Sequence, residues 1–173
     1  MEKTRVIMSG YPGSGKSTLA AALADQLGFT LISKDLLLLT LYEAFQFGPG
    51  DPVSSLRTGA AAWAAFWLQA RLSPRAILDT NIQWADRRQR EDLQSLGGRL
   101  VEVRCDCSPE LAAKRFADRS AVGHPAQRHT QLDAARLAAY AQPIGLGPLI
   151  TVDTSGPVDA TAVANDVRTL FNG

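Results

Sequence analysis

Gly10-Tyr11-Pro12-Gly13-Ser14-Gly15-Lys16-Ser17 decides how this chain is read. The stretch fits the spacing GxxxxGK[ST], and its flanks have the right character. Arg5-Val6-Ile7-Met8-Ser9 before it reads as a strand. Residues 16–27 after it read as a helix, with Gly28 as the stop signal. In that setting the glycines let the backbone bend so that successive N–H groups point inward and cradle phosphate oxygens. The following helix adds the positive end of its dipole. Lys16 is then in reach of the β- and γ-phosphates of a nucleotide, and the Ser17 hydroxyl is a ligand for Mg²⁺. The bland alternative is a glycine-rich turn with no ligand, and the strand-loop-helix context argues against it.

Working outward, strand-like and helical segments alternate. Strands are expected at 5–9, 29–33, 75–79, 99–105 and 149–153. Helices are expected at 16–27, 35–47, 54–72, 85–96, 109–119, 131–140 and 157–171. Ser108 supplies a cap and Pro109 a first-turn proline for the helix that follows them. Five strands alternating with helices predict an α/β fold of three layers, a parallel sheet covered on both faces and joined by right-handed crossovers. One domain is expected over residues 1–173. The loops at 48–52 and 120–127 are the expected mobile places.

Composition supports a soluble globular domain. Hydrophobic residues make up 46% and charged residues 20%, and the formal net charge is +1, so no global basic field announces a nucleic-acid partner. Only four of the 18 basic residues are lysines, Lys3, Lys16, Lys34 and Lys114. The arginines suit phosphate clamping through their planar, permanently charged forks, although a simple compositional bias explains them as well. Cys105 and Cys107 are too few for a zinc site or a disulfide framework, so a reducing, cytoplasmic setting is expected. The start of the chain lacks the apolar stretch of a signal peptide, and the apolar run 36–41 is far too short to cross a bilayer.

Three further groups carry chemistry. Asp35 follows the second strand directly, and ligands of parallel α/β sheets sit outside the carboxyl ends of the strands. A carboxylate there can accept the proton of an attacking hydroxyl, while an N-cap role for the helix after it is an alternative that can hold at the same time. Asp79-Thr80-Asn81 follows the third strand, the position from which an acidic residue holds Mg²⁺ directly or through water; turn capping is the alternative. Arg115 and Arg119 stand at i and i+4 on one face of the helix from Pro109, poised as a lid over the phosphates of ATP; a solvated basic face is the alternative.

Together these residues resemble a family of P-loop kinases typified by the phage-type polynucleotide 5′-kinase, with zeta-toxin-like and small antibiotic phosphotransferase relatives. The resemblance lies in Gly10 to Thr18, in Lys34-Asp35, in Asp79-Thr80-Asn81 with Arg87-Arg88, and in Glu110-Leu111 with Lys114, Arg115 and Arg119. It implies a P-loop NTPase fold with five parallel strands and a helical lid over about 109–130. It also implies ATP bound by Gly10, Pro12, Gly13, Ser14, Gly15, Lys16, Ser17, Thr18, Arg115 and Arg119, and Mg²⁺ held by Ser17 and Asp79. Catalysis would fall to Asp35 as base, assisted by Lys16 and Arg119. One position departs from the pattern. Leu38 stands where the polynucleotide kinase has a basic residue for its substrate phosphate, so the acceptor side is less cationic than a nucleic-acid end requires. A small hydroxylated molecule is a fair rival acceptor.

The acceptor is expected beneath residues 36–72. Trp63, Phe66 and Trp67 there have the i, i+3, i+4 spacing of a buried stripe, which makes core packing the leading reading and an aromatic pocket the second. Arg57 and Arg71 are candidates for an anionic acceptor or plain surface charges. Ser155 to Val158, after the last strand, are candidates for the adenine wall. His124 and His129 receive no catalytic role. Rivals to the kinase reading are a P-loop ATPase or nucleotide switch, and a toxin-like ATP-binding module. The sequence leaves the oligomeric state open.

Overall fold

The computed structural model describes residues 2–45, 52–122 and 132–172. His124, His129 and most of the two expected loops lie outside the described residues. In chain order the elements are β1 (Thr4–Ser9), α1 (Lys16–Leu27), β2 (Thr30–Ser33), α2 (Lys34–Phe45), α3 (Pro52–Leu72) and β3 (Arg75–Asp79), then α4 (Arg87–Ser95), β4 (Arg99–Asp106), α5 (Pro109–Val122), α6 (Ala134–Ala138), β5 (Leu149–Asp153) and α7 (Ala160–Asn172). The five strands form one parallel sheet in the order β2-β3-β1-β4-β5. No helix among the described residues is long and apolar enough to cross a membrane.

Side-chain alternation along the strands divides the core in two. Val6, Met8, Val101 and Val103 face Leu19 and Leu23 of α1 and Val163 and Val167 of α7. Ile7, Ala76 and Leu78 face Phe66, Trp67 and Ala70 of α3 and Leu93 of α4. Phe66 and Trp67 therefore are core residues, as their spacing predicts, while Trp63 stacks on Trp67 at 5.8 Å and stays partly exposed.

The register aligns the ends of three strands. Ile7 lies beside Leu78, and Ser33 beside Asp79. The segments leaving β1, β2 and β3 thus emerge next to one another, which brings residues 10–17, 34–35 and 79–81 into one region.

Helix ends differ from the sequence expectation where a capping side chain sets them. Residues 85 and 86 are not helical, because the Asp86 side chain accepts from Gln89 N and starts α4 at Arg87. Asp133 does the same for α6, which is confined to Ala134–Ala138 instead of 131–140. Asp159 Oδ1 accepts from Thr161 N and Ala162 N, so α7 begins after Pro157. In the other direction, α2 already begins at Lys34, which puts Asp35 inside its first turn rather than at the cap.

Three charged side chains are buried on the α3 side of the sheet, where apolar residues are the rule. Arg5, only 1% exposed, donates to Ala70 O and Gly97 O and so ties the end of α3 to the turn after α4. Glu102 accepts from Ile144 N and Gly145 N at 2.9 Å each. Arg104 donates to Tyr140 O and Ala141 O. Arg90 reaches Ile144 O, and the Trp84 indole donates to Ala138 O at 3.2 Å. These bonds pin residues 138–145 against the sheet and the α4 region, next to the strand ends.

Replacing Glu102 with Ala strands the Ile144 and Gly145 amides, and the expected cost is about 1–3 kcal/mol in urea unfolding. Faster amide exchange at both positions is the local signature. An unchanged unfolding midpoint would contradict the pinning role.

Candidate nucleotide and acceptor site

A cleft of about 470 Å³ opens at the aligned strand ends. Its floor is the bend from Pro12 to Thr18, its sides carry Asp35, Asp79, Arg115 and Arg119, and its far wall is Thr154 with Gly156, Pro157 and Val158. Most of the residues singled out from the sequence are therefore together, including part of the stretch expected to meet adenine. Gly10 and Ser14 act from beneath. Gly10 has φ 118°, and a Cβ there would lie 2.2 Å from Cys105 O. Ser14 is fully buried and its N–H closes a turn onto Tyr11 O, while its hydroxyl has no partner.

The loop and the α5 helix are in direct contact. Gly13 has φ 88°, and a Cβ on it would stand 2.3 Å from Ala112 O. Only glycine permits this approach. Ser108 caps α5 through Leu111 N, as the sequence predicts.

Lys16 is 6% exposed, and its Nζ donates to Gly10 O at 3.0 Å and Tyr11 O at 2.7 Å. Burial pushes its pKa down to about 8, and nearby Arg119 adds to the effect; the Asp79 and Asp35 carboxylates oppose it. The ammonium is thus folded back onto its own loop and partly desolvated.

Asp79 is 5% exposed, and burial raises its pKa above the ordinary carboxylate value, against hydrogen bonds from Ser33 and Ser17. Its Oδ2 accepts from Ser33 Oγ at 2.9 Å and its Oδ1 from Ser17 Oγ at 3.2 Å. Ser17 and Asp79 present adjacent hard oxygen atoms at the cleft, a donor set that fits Mg²⁺ shared with phosphate oxygens.

Arg115 and Arg119 have different partners despite their common face. Arg115 donates to Thr154 O at 2.8 Å and Ser155 O at 3.1 Å, tying α5 to the segment after β5. Arg119 lies over the Phe116 ring at 5.7 Å and lines the cleft and the cavity beside it.

That second cavity measures about 270 Å³. It shares Pro12, Asp35, Thr80, Asn81 and Arg119 with the cleft, and adds Lys34, Leu38, Trp63, Gln89, Arg136 and Tyr140 among its walls. Asp35 therefore borders both spaces. Leu38 is buried and lines this second cavity, so the departure noted in the sequence falls on its wall. Arg57 and Arg71 line neither space; Arg71 instead lies 3.9 Å from Asp92 on the surface. Sequence reasoning missed Gln89, Arg136 and Tyr140. Thr80 had its signal next to Asp79, within the stretch the sequence singled out, and lines both spaces. Arg136 and Tyr140 had none, because the bonds made by Glu102, Arg104 and Trp84 bring their segment here.

The Lys16 geometry fixes a pH dependence. Its native pKa lies below the unfolded value of 10.5, so the unfolded chain holds the extra proton between about pH 8 and 10.5. The penalty is complete below pH 8 and is relieved as pH rises through that window. Lys16→Met is expected to stabilise the nucleotide-free protein at pH 7 by roughly 1–3 kcal/mol, at about 1.4 kcal/mol per pKa unit. The gain shrinks toward pH 10, and stabilisation by added ATP disappears. Urea unfolding at both pH values, with and without nucleotide, checks all three; a destabilised Met variant at pH 7 contradicts the reading.

A family model described as an AAA domain matches residues 6–144. Among solved structures, a candidate kinase from Chloroflexus aurantiacus is similar with a TM-score of 0.81 and 28% identity, over 98% of this chain and 99% of that one. Shikimate kinase from Acinetobacter baumannii, in complex with shikimate, is similar with a TM-score of 0.60 and 18% identity, over 98% and 93%. The Mycobacterium tuberculosis APS kinase, in complex with AMPPNP and APS, gives 0.61 and 19%, over 99% of each chain. At those identities the last two establish the fold alone. No curated protein matches the chain. With the phosphate loop, Asp35, Asp79 and Arg119 all inside the matched span, the chain belongs to the AAA domain family.

Proposed function

We propose that the protein is a kinase that transfers the γ-phosphoryl group of Mg-ATP to a hydroxyl of a small molecule. The observation that carries this reading is the position of Asp35, which lines both the phosphate-loop cleft and the neighbouring cavity. In this reading the cleft takes ATP and the cavity takes the acceptor. Asp35 accepts the hydroxyl proton as the acceptor oxygen forms its bond to the γ-phosphorus. The bond from that phosphorus to the β–γ bridging oxygen breaks, and ADP leaves. The Lys16 ammonium exchanges the carbonyls of Gly10 and Tyr11 for phosphate oxygens, and Arg119 steadies the charge on the transferring group. Mg²⁺ held by Ser17 and Asp79 would neutralise charge between the β- and γ-phosphates. Gly156 to Val158 supply an apolar wall for the nucleotide base.

Two further facts favour a small acceptor over a polynucleotide end. Leu38 stands in the cavity wall where a phosphate-binding cation is needed. The structural neighbours include shikimate kinase and APS kinase, both named for small substrates. Arg115, bonded to Thr154 O and Ser155 O, is better suited to hold the nucleotide wall on α5 than to contact phosphate.

Asp35→Asn is expected to keep ATP affinity while turnover falls by at least about 10²-fold, the usual scale for a general base. Nucleotide titration together with acceptor-dependent ADP release measures both. Normal turnover in this variant removes Asp35 from the mechanism, and ADP release indifferent to every acceptor favours an ATPase.

A further inference from the structure

Resting on the phosphotransfer reading, we propose that the acceptor is a polyhydroxy compound, a sugar or polyol, and that Thr80, Asn81 and Gln89 bind hydroxyls other than the one it presents to Asp35. These three side chains then set specificity, while Asp35 takes the proton.

Two oxygens at the second cavity are left unsatisfied by the fold. Thr80 Oγ1 and Asn81 Oδ1 are buried and have no hydrogen-bond partner. Thr80 is 5% exposed, and both residues line the cavity together with Asp35. Buried polar atoms are bonded as a rule. Two orphans adjacent in the chain, both at the wall of one cavity, point to partners that arrive with a ligand.

Gln89 supplies a complementary donor. Its Oε1 accepts from Gln83 N at 2.9 Å, which fixes the sense of the amide and leaves Nε2 for a ligand at the cavity that both residues line. Gln89 N is bonded to Asp86 Oδ1 at 3.0 Å, so the side chain springs from a capped helical turn. Trp84 ties this segment to the end of α6, with its N–H on Ala139 O at 3.4 Å and its indole on Ala138 O at 3.2 Å. Tyr140 follows there and adds a phenol to the same wall. Groups held in this way are in place before a ligand arrives.

The mixture of partners identifies the ligand group. Asn81 Oδ1 and the Asp35 carboxylate only accept, Gln89 Nε2 only donates, and the Thr80 and Tyr140 hydroxyls do both. A ligand carboxylate only accepts and an ammonium only donates, so neither serves the whole set. A hydroxyl donates and accepts at once. Several hydroxyls on one small skeleton can satisfy Thr80, Asn81 and Gln89 while another faces Asp35.

Matched compounds decide it, each pair alike in size and each member carrying a hydroxyl for Asp35: myo-inositol against cyclohexanol, glucose against cyclohexylmethanol, and ribitol against pentanol. Binding to enzyme saturated with Mg-AMPPNP is measured by saturation-transfer NMR, and ADP release is followed with ATP. The polyhydroxy member of at least one pair is expected to bind about tenfold or more tighter, since a site built for hydroxyls rejects an analogue that leaves its groups unpaired. Gln89→Leu is expected to erase that preference with AMPPNP affinity unchanged. Thr80→Val is expected to weaken the preference while raising the urea midpoint, because a methyl of the same shape removes an orphaned hydroxyl; a lowered midpoint counts against the proposal. The inference is overturned if the one-hydroxyl members bind as tightly, if no polyhydroxy member binds, or if the preference survives both substitutions. ADP release supported equally by the one-hydroxyl members sinks the hydroxyl seat alone, whereas selective binding with no acceptor-dependent ADP release sinks the phosphotransfer reading beneath it.

Discussion

A lysine ammonium with 6% exposure, held by two carbonyls of its own loop, is an expensive thing to fold. Hydrogen bonds to Gly10 O and Tyr11 O keep Lys16 from being orphaned, but they do not replace water around a full charge. The loop is therefore built around a buried cation held by its own carbonyls. A phosphate placed in the bend would meet this ammonium, and the backbone geometry around it is already set. Gly10 lets the loop pass against Cys105 O, and Gly13 lets α5 pass against the loop. Both contacts exclude a Cβ, so the bend and the helix that carries Arg119 are joined at the point where the phosphates would lie.

The sheet order turns that local device into a site. With β1 between β3 and β4, and β3 between β1 and β2, three strand ends stand in a row. Asp79 can then take hydrogen bonds from Ser17 on one side and Ser33 on the other, and Asp35 rises two residues beyond Ser33. None of these partners is near another in sequence except Ser33 and Asp35. Parallel pairing in register makes them neighbours, and the crossover helices keep the row open to solvent on the ligand side.

Buried charge has a second use on the other side of the molecule. Arg5, Glu102 and Arg104 replace apolar residues on the face packed by α3 and α4, and each is satisfied by backbone groups of a distant segment. Hydrogen bonds of this kind are directional where apolar packing is not. They decide where the stretch from α6 to β5 runs, and so which of its side chains reach the second cavity.

The features that the sequence determined by itself are those whose physics is local. The glycine-lysine-serine bend needs eight consecutive residues and two flanks. The strands Arg75–Asp79 and Leu149–Asp153 and the helix Lys16–Leu27 end where the apolar pattern or a glycine ends them. Asp35 and Asp79 were legible because a parallel sheet presents whatever follows its strands to the ligand side. Helix starts were less legible wherever a capping aspartate, Asp86, Asp133 or Asp159, competed with an apolar pattern running past it. Tertiary structure alone decided the separate uses of Arg115 and Arg119, since which guanidinium meets a carbonyl depends on a loop 39 residues away. It alone brought Arg136, Tyr140 and Gln89 to the wall of the second cavity. No spacing in the chain encodes that meeting, because it follows from buried Glu102 and Arg104 choosing partners across the fold.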